Sequence, residues 1–266
     1  MLTVLRVLEG APPRRRWFRR RNFLPVVYSR TVSVPDGAYR VTTVVRTAEE
    51  PDWAAIRREV GCESGRLLLP RGLTPPPGCG IAAFSGTQYT RTMMRKALEQ
   101  CLRASHRSPG ERSVGIYDPS GCMPRLPLGL LREAAEVRVV TRRPERYREV
   151  TEEAMAEQGA SFLMREDWRV LLGCDWIAAP EGLDGLPLHG ERGTFSAKEQ
   201  RRVGVVDGFL PEDAAKWMEA APPDISSLRF LSGLFECSQI LCVAQADVET
   251  VRINGVLQPL KGLLHP

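Results

Sequence analysis

SVGIYDPSGCMPRLPLGLLREAAEVRVVTRRPERYREVTEEAMAEQGASFLM (residues 113–164), followed after a short gap by CDWIAAP (174–180), decides how this chain folds. Four apolar runs of β type, Val114–Tyr117, Val137–Thr141, Ser161–Met164 and Trp176–Ala179, alternate with longer segments of mixed polarity. Short buried runs separated by helical segments are the pattern of βαβ units on a parallel sheet. The expected fold is therefore α/β, a Rossmann-like, doubly wound and mostly parallel sheet.

Outward from that stretch, a small basic α+β unit is expected over residues 1–73, and the Rossmann-like domain over 74–266. Thr74-Pro75-Pro76-Pro77-Gly78-Cys79-Gly80 is the expected connector, because proline fixes φ and removes a ladder donor. In the first part, Met1–Glu9 reads as a strand, and Phe23–Val34 and Ala38–Thr47 flank Pro35-Asp36-Gly37 as a hairpin. A short helix opened by Pro51-Asp52-Trp53, with Pro51 at or near its start, is expected to run to Val60, and a strand at Arg66–Leu69. In the second part an amphipathic helix covers Thr87–Ser105, with Met93, Met94, Ala97, Leu98, Cys101 and Leu102 on its apolar face. Further on come a strand at Val203–Val206 and helices at Pro211–Ala221 and Ser227–Cys237. A final hairpin turns on Asn254-Gly255, a dipeptide that tolerates the positive φ of a type I′ turn.

Charge divides along similar lines. Residues 1–110 hold 19 Arg and Lys against 8 Asp and Glu, whereas residues 111–266 hold 18 against 24. The densest basic stretch is Arg14-Arg15-Arg16-Trp17-Phe18-Arg19-Arg20-Arg21, six arginines in eight positions. It is a candidate contact for nucleic acid or an anionic lipid surface, and also has the character of a solvated loop whose aromatics pack on the domain. Seven cysteines lie at 62, 79, 101, 122, 174, 237 and 242 with no CxxC pair, so a structural zinc site is not expected, and free thiols in a cytoplasmic protein are. No apolar run approaches membrane-spanning length. The apolar start MLTVLRVLEG precedes its basic residues, the reverse of a secretion signal.

In a doubly wound sheet, ligands bind beyond the carboxyl ends of the strands at the switch point. The first strand of the organising stretch runs into Asp118-Pro119-Ser120-Gly121-Cys122-Met123-Pro124, and a helix is expected from about Pro124. Asp118, Ser120, Gly121 and Cys122 are the candidate ligand-binding residues of this turn, through backbone N–H groups directed at an anion. One glycine replaces the GxGxxG fingerprint, and Asp118 sets a negative charge beside any diphosphate. Arg142 and Arg143 follow the second strand, where an adenosine ribose lies in NADP-binding domains and a guanidinium suits a 2′-phosphate. NADP is accordingly the first cofactor to test. A different chemistry pairs Asp118 with Asp207 at two strand ends around a magnesium ion. His189, in a glycine-rich loop, is a candidate acid or base.

EVRVVTRRPERYREVTEEAMAEQGA (136–160) followed by CDWIAAP resembles the second-strand, helix and later-strand region of the NAD(P)-binding domain in shikimate dehydrogenases and glutamyl-tRNA reductases. The likeness spans residues 113–180. It implies a Rossmann-type fold, with DPSGCMP standing where those families carry a glycine-rich turn. Three functions follow: a nucleotide or dinucleotide binder, a non-catalytic protein whose partner engages the arginine run, and a magnesium enzyme built on strand-end aspartates.

Overall fold

The computed structural model describes residues 2–9, 27–34, 37–46, 50–61, 66–70, 72–85, 87–183, 185–188, 190–197, 205–210, 214–237, 247–253 and 256–263. In chain order the elements are β1 (Thr3–Glu9), β2 (Val27–Val34), β3 (Gly37–Arg46), α1 (Trp53–Val60), β4 (Arg66–Leu67), β5 (Ala82–Ala83) and α2 (Gln88–Arg103). Then follow β6 (Ser113–Tyr117), α3 (Leu126–Leu130), β7 (Glu136–Val140), α4 (Arg148–Gln158), β8 (Leu163–Arg165), β9 (Trp176–Ala179) and β10 (Gly193–Ser196). The chain continues through β11 (Val205–Leu210), α5 (Ala214–Glu219), α6 (Ser227–Glu236), β12 (Thr250–Ile253) and β13 (Val256–Pro259). Two compact units result: residues 1–88 with 213–241, and residues 89–212 with 242–266.

In the first unit the hairpin β2–β3 forms as its sequence suggests, but β1 pairs parallel to β3, giving the order β1-β3-β2. Leu68 bridges in parallel to Val4, which brings the β4–β5 pair alongside β1. Asp52 caps α1 by accepting the Ala55 N–H at 2.9 Å. Leu5, Val44, Trp53, Ile56, Val60, Leu67 and Leu69 form one core between α1 and the sheet. The proline-rich segment expected to be a connector lies inside this unit, because β5 beyond it returns to pair with β4.

Residues 213–241, assigned by sequence to the Rossmann-like part, also belong here. The buried face of α6, with Phe230, Leu231 and Leu234, accounts for this. Phe230 meets Tyr39 edge-on at 4.8 Å, and the Tyr39 hydroxyl donates to the Ala220 carbonyl at 2.7 Å.

The second unit carries an eight-stranded sheet in the order β13-β12-β11-β10-β9-β6-β7-β8. The six strands from β6 to β11 are mutually parallel, and β12 and β13 add an antiparallel edge beside β11. Read from β8 to β11, the order is that of the doubly wound dinucleotide fold, 3-2-1-4-5-6, with its switch point between β6 and β9. The fold is Rossmann-like α/β. Tyr117, Val140, Ile177 and Ala179 contribute to the core of this sheet together with Leu171, Leu183 and Leu188. The expected strand limits hold to within one or two residues across β6, β7, β8 and β9. The helix expected from Pro124 is only the five-residue α3, which starts at Leu126. No helix among the described residues is long and apolar enough to cross a membrane.

Candidate functional site

The turn after β6 is closed on itself. Asp118 is fully buried. Its carboxylate accepts the Cys122 N–H on Oδ1 and the Met123 N–H on Oδ2, both at 2.9 Å, and the Tyr147 hydroxyl donates to Oδ2 at 2.7 Å. The Gly121 N–H donates to the Asp118 carbonyl at 3.1 Å. These N–H groups were expected to face a ligand anion. The chain supplies the anion itself, so Gly121, Cys122 and Met123 have no donor left for a diphosphate. A stub of five residues also leaves α3 little dipole to add. The turn therefore does not fit the diphosphate of a dinucleotide. Ser120 is the remaining turn residue, and its N–H has no partner among the described hydrogen bonds.

Arg142 and Arg143 follow β7 after the buried Thr141 and are exposed, as is Arg146. Several bonds fasten their loop to the β6 turn. The Arg142 N–H donates to the Pro119 carbonyl at 3.1 Å, and the Arg143 N–H to the buried Thr141 Oγ1 at the same distance. Arg146 Nη1 reaches the Gly121 carbonyl at 3.4 Å. Gly121 has φ +66°, and a Cβ there would stand 2.9 Å from Arg146 Cδ and 3.3 Å from Arg143 Cβ. Only glycine lets the two loops meet this closely. Arg143 pairs with Glu145 at 3.7 Å, both side chains more than half exposed, a geometry that contributes little. The result is a cationic rim on a preorganised backbone.

Beneath the rim, Cys122 and Glu181 join Asp118, with one ligand atom from each lying within 4.8 Å of the others. Burial first, then the charge and hydrogen bond of Asp118, push the Cys122 thiol from 9.0 up to about 12. At neutral pH it is a protonated thiol rather than a nucleophile. A group whose folded pKa is raised stabilises the fold fully below its unfolded pKa, and the contribution is lost as pH climbs towards the folded value. Stability is thus expected to fall between about pH 9 and 12. Cys122→Ser should make that fall shallower in urea titrations from pH 8 to 11; a slope equal to wild type would contradict the assignment.

The magnesium pairing is not supported. Asp207 lies within β11, three strand spacings from β6, so its backbone is about 14 Å from that of β6. With the Asp118 carboxylate turned to its own loop, a shared ion at ligand distances of about 2.1 Å is out of reach. His189 and the arginine run Arg14–Arg21 lie outside the described residues.

Two features have no local signal in the sequence. Tyr147, the partner of Asp118, is 29 residues away. At the opposite, amino-terminal edge of β6 and β9, the buried Asp175 carboxylate accepts Arg107 Nη1 at 2.7 Å, the Ser113 N–H at 2.9 Å and the Ser113 hydroxyl at 3.2 Å. Arg192 Nε stands 3.8 Å from it. Conserving the strand register is the evident work of this cluster, since it ties the first residue of β6 to the residue before β9.

No protein-family model and no curated protein matches the chain. Among solved structures, a lysine cyclodeaminase reported for its recognition of L-lysine, L-ornithine and L-2,4-diaminobutyric acid aligns at 15% identity and a TM-score of 0.29. The alignment covers 57% of this chain and 51% of that one, so this chain spans about half the length of the lysine cyclodeaminase.

Proposed function

We propose that the second unit binds a nucleotide through a phosphate monoester, held on the guanidinium rim of Arg142, Arg143 and Arg146. The observation that carries this reading is the fastening of the two loops: the Arg142 N–H to Pro119, Arg146 to Gly121 and the Gly121 contact hold the arginine loop against a turn whose Gly121, Cys122 and Met123 N–H groups are already satisfied. A guanidinium fork matches a phosphate bidentately, and a preorganised fork loses little entropy on binding. In NADP-binding domains of this fold class the residues after the second strand meet the adenosine ribose, which supports a phosphate at the rim. The resemblance of residues 113–180 to shikimate dehydrogenases and glutamyl-tRNA reductases supports the same placement. The closed turn separates this chain from them: affinity comes from the monoester, and the diphosphate contributes nothing at Cys122 and Met123.

A thermal-shift comparison tests the rim directly. Adenosine 2′,5′-bisphosphate at about 100 times its dissociation constant should stabilise the unit by ~2.7 kcal/mol. Arg142→Ala with Arg143→Ala should abolish the shift while the unliganded midpoint stays at the wild-type value, because both side chains are exposed. A shift of the same size in the double variant would remove the rim from consideration.

A further inference from the structure

We propose that the first unit carries a second ligand site, a groove that takes a small anionic molecule with an apolar body. The groove encloses about 900 Å³ between α1 and the glycine-rich segment before β5. That volume is within the range of small-molecule sites, which are concave, mainly apolar and furnished with a few placed polar groups. Trp53, Val60 and Ile81 supply the apolar wall, and Arg57 and Arg58 the charge. No acidic residue is among the described residues lining it, and neither arginine forms an ion pair with a described residue. Two arginines among the described lining residues favour an anion.

Arg57, exposed to solvent, lies across the loop: Gly80 has φ +75°, and a Cβ there would stand 2.6 Å from Arg57 Cζ. The guanidinium rests on the glycine backbone, with Nη1 3.5 Å from the Cys79 carbonyl. The α1 end does not need it, because the Gly61 N–H already donates to the Arg57 carbonyl at 3.0 Å. A guanidinium with no ion pair to a described residue, beside an apolar wall, is suited to a carboxylate, sulfonate or phosphate on a hydrophobic molecule. Cys79, a half-buried free thiol in the same lining, reports on occupancy.

The test uses the whole chain and 8-anilino-1-naphthalenesulfonate, with neutral N-phenyl-1-naphthylamine as the uncharged match. The sulfonate is expected to bind one site about tenfold or more tighter than the neutral probe, and Arg57→Met to lose about that factor at an unchanged thermal midpoint. Occupancy should also slow alkylation of Cys79 by iodoacetamide, located by peptide mass, in the wild-type protein where folding is not in question. Inorganic phosphate at the same concentration should leave the probe bound, since it lacks the apolar body. Equal affinity for the neutral probe, full displacement by phosphate, or Cys79 alkylation at an unaltered rate would each overturn the proposal. Should Arg57→Met fail to fold, Arg58→Met and the Cys79 protection decide the matter alone.

Discussion

Asp118→Ala is expected to cost about 3–5 kcal/mol of stability, because it leaves two backbone N–H groups and a hydroxyl without an acceptor, each worth about 1–3 kcal/mol when buried. The side chain is fully buried and accepts from Cys122, Met123 and Tyr147. Asp118→Asn should recover roughly half, since its one amide oxygen still accepts from Cys122 and the tyrosine hydroxyl can reverse its role. Tyr147→Phe removes one donor and should cost about 1 kcal/mol. The double variant Asp118→Ala, Tyr147→Phe should be less destabilised than the sum of the two, as partners in one network are. Urea unfolding measures all four. A loss below about 1 kcal/mol for Asp118→Ala would mean that water replaces the carboxylate and the turn is open.

Asp175→Ala is the second large effect, expected at about 2–4 kcal/mol. Removing one member of a buried pair leaves the others uncompensated. The lower end of that range reflects Arg107, whose side chain is 45% exposed and turns to water or to Glu191 once released. The half-buried Ser113 N–H and hydroxyl lose the carboxylate acceptor they share at the strand junction. Asp175→Asn keeps an acceptor for Ser113 and should cost about half as much. Because this cluster sits at the amino ends of β6 and β9, Asp175→Ala should leave the affinity for adenosine 2′,5′-bisphosphate unchanged. A variant with full stability, or with altered affinity, would contradict the purely structural role.

The contrast between these two aspartates shows what a sequence displays and what it conceals. The central strands β6, β7 and β9 were legible because each is a short, largely buried apolar run, and such runs stand out from the charged helix Arg148–Gln158. Arg142 and Arg143 were legible because their place after the second strand follows from that rhythm. The closure of the turn was only half legible. Asp118 announced itself as a charge beside the expected phosphate, but its partners are set by the turn's fold and by Tyr147, 29 residues on. Asp175 and Arg107 stand 68 residues apart and share no periodicity. Helix α6 shows the same limit on a larger scale. Its amphipathic pattern declares an apolar face, not which sheet that face covers, and the contact of Phe230 with Tyr39 settles it. Likewise β1 reads as a strand, while its parallel pairing to β3 depends on a partner far along the chain.

The most direct measurement is a calorimetric titration of the wild-type protein with adenosine 2′,5′-bisphosphate, NADP and NAD in parallel. If Asp118 fills the turn and the arginine rim reads a monoester, the bisphosphate binds at least as tightly as NADP, and NAD gives no measurable heat. NADP binding about tenfold or more tighter than the bisphosphate, or NAD binding comparably, would show the diphosphate engaging the turn and would contradict the account.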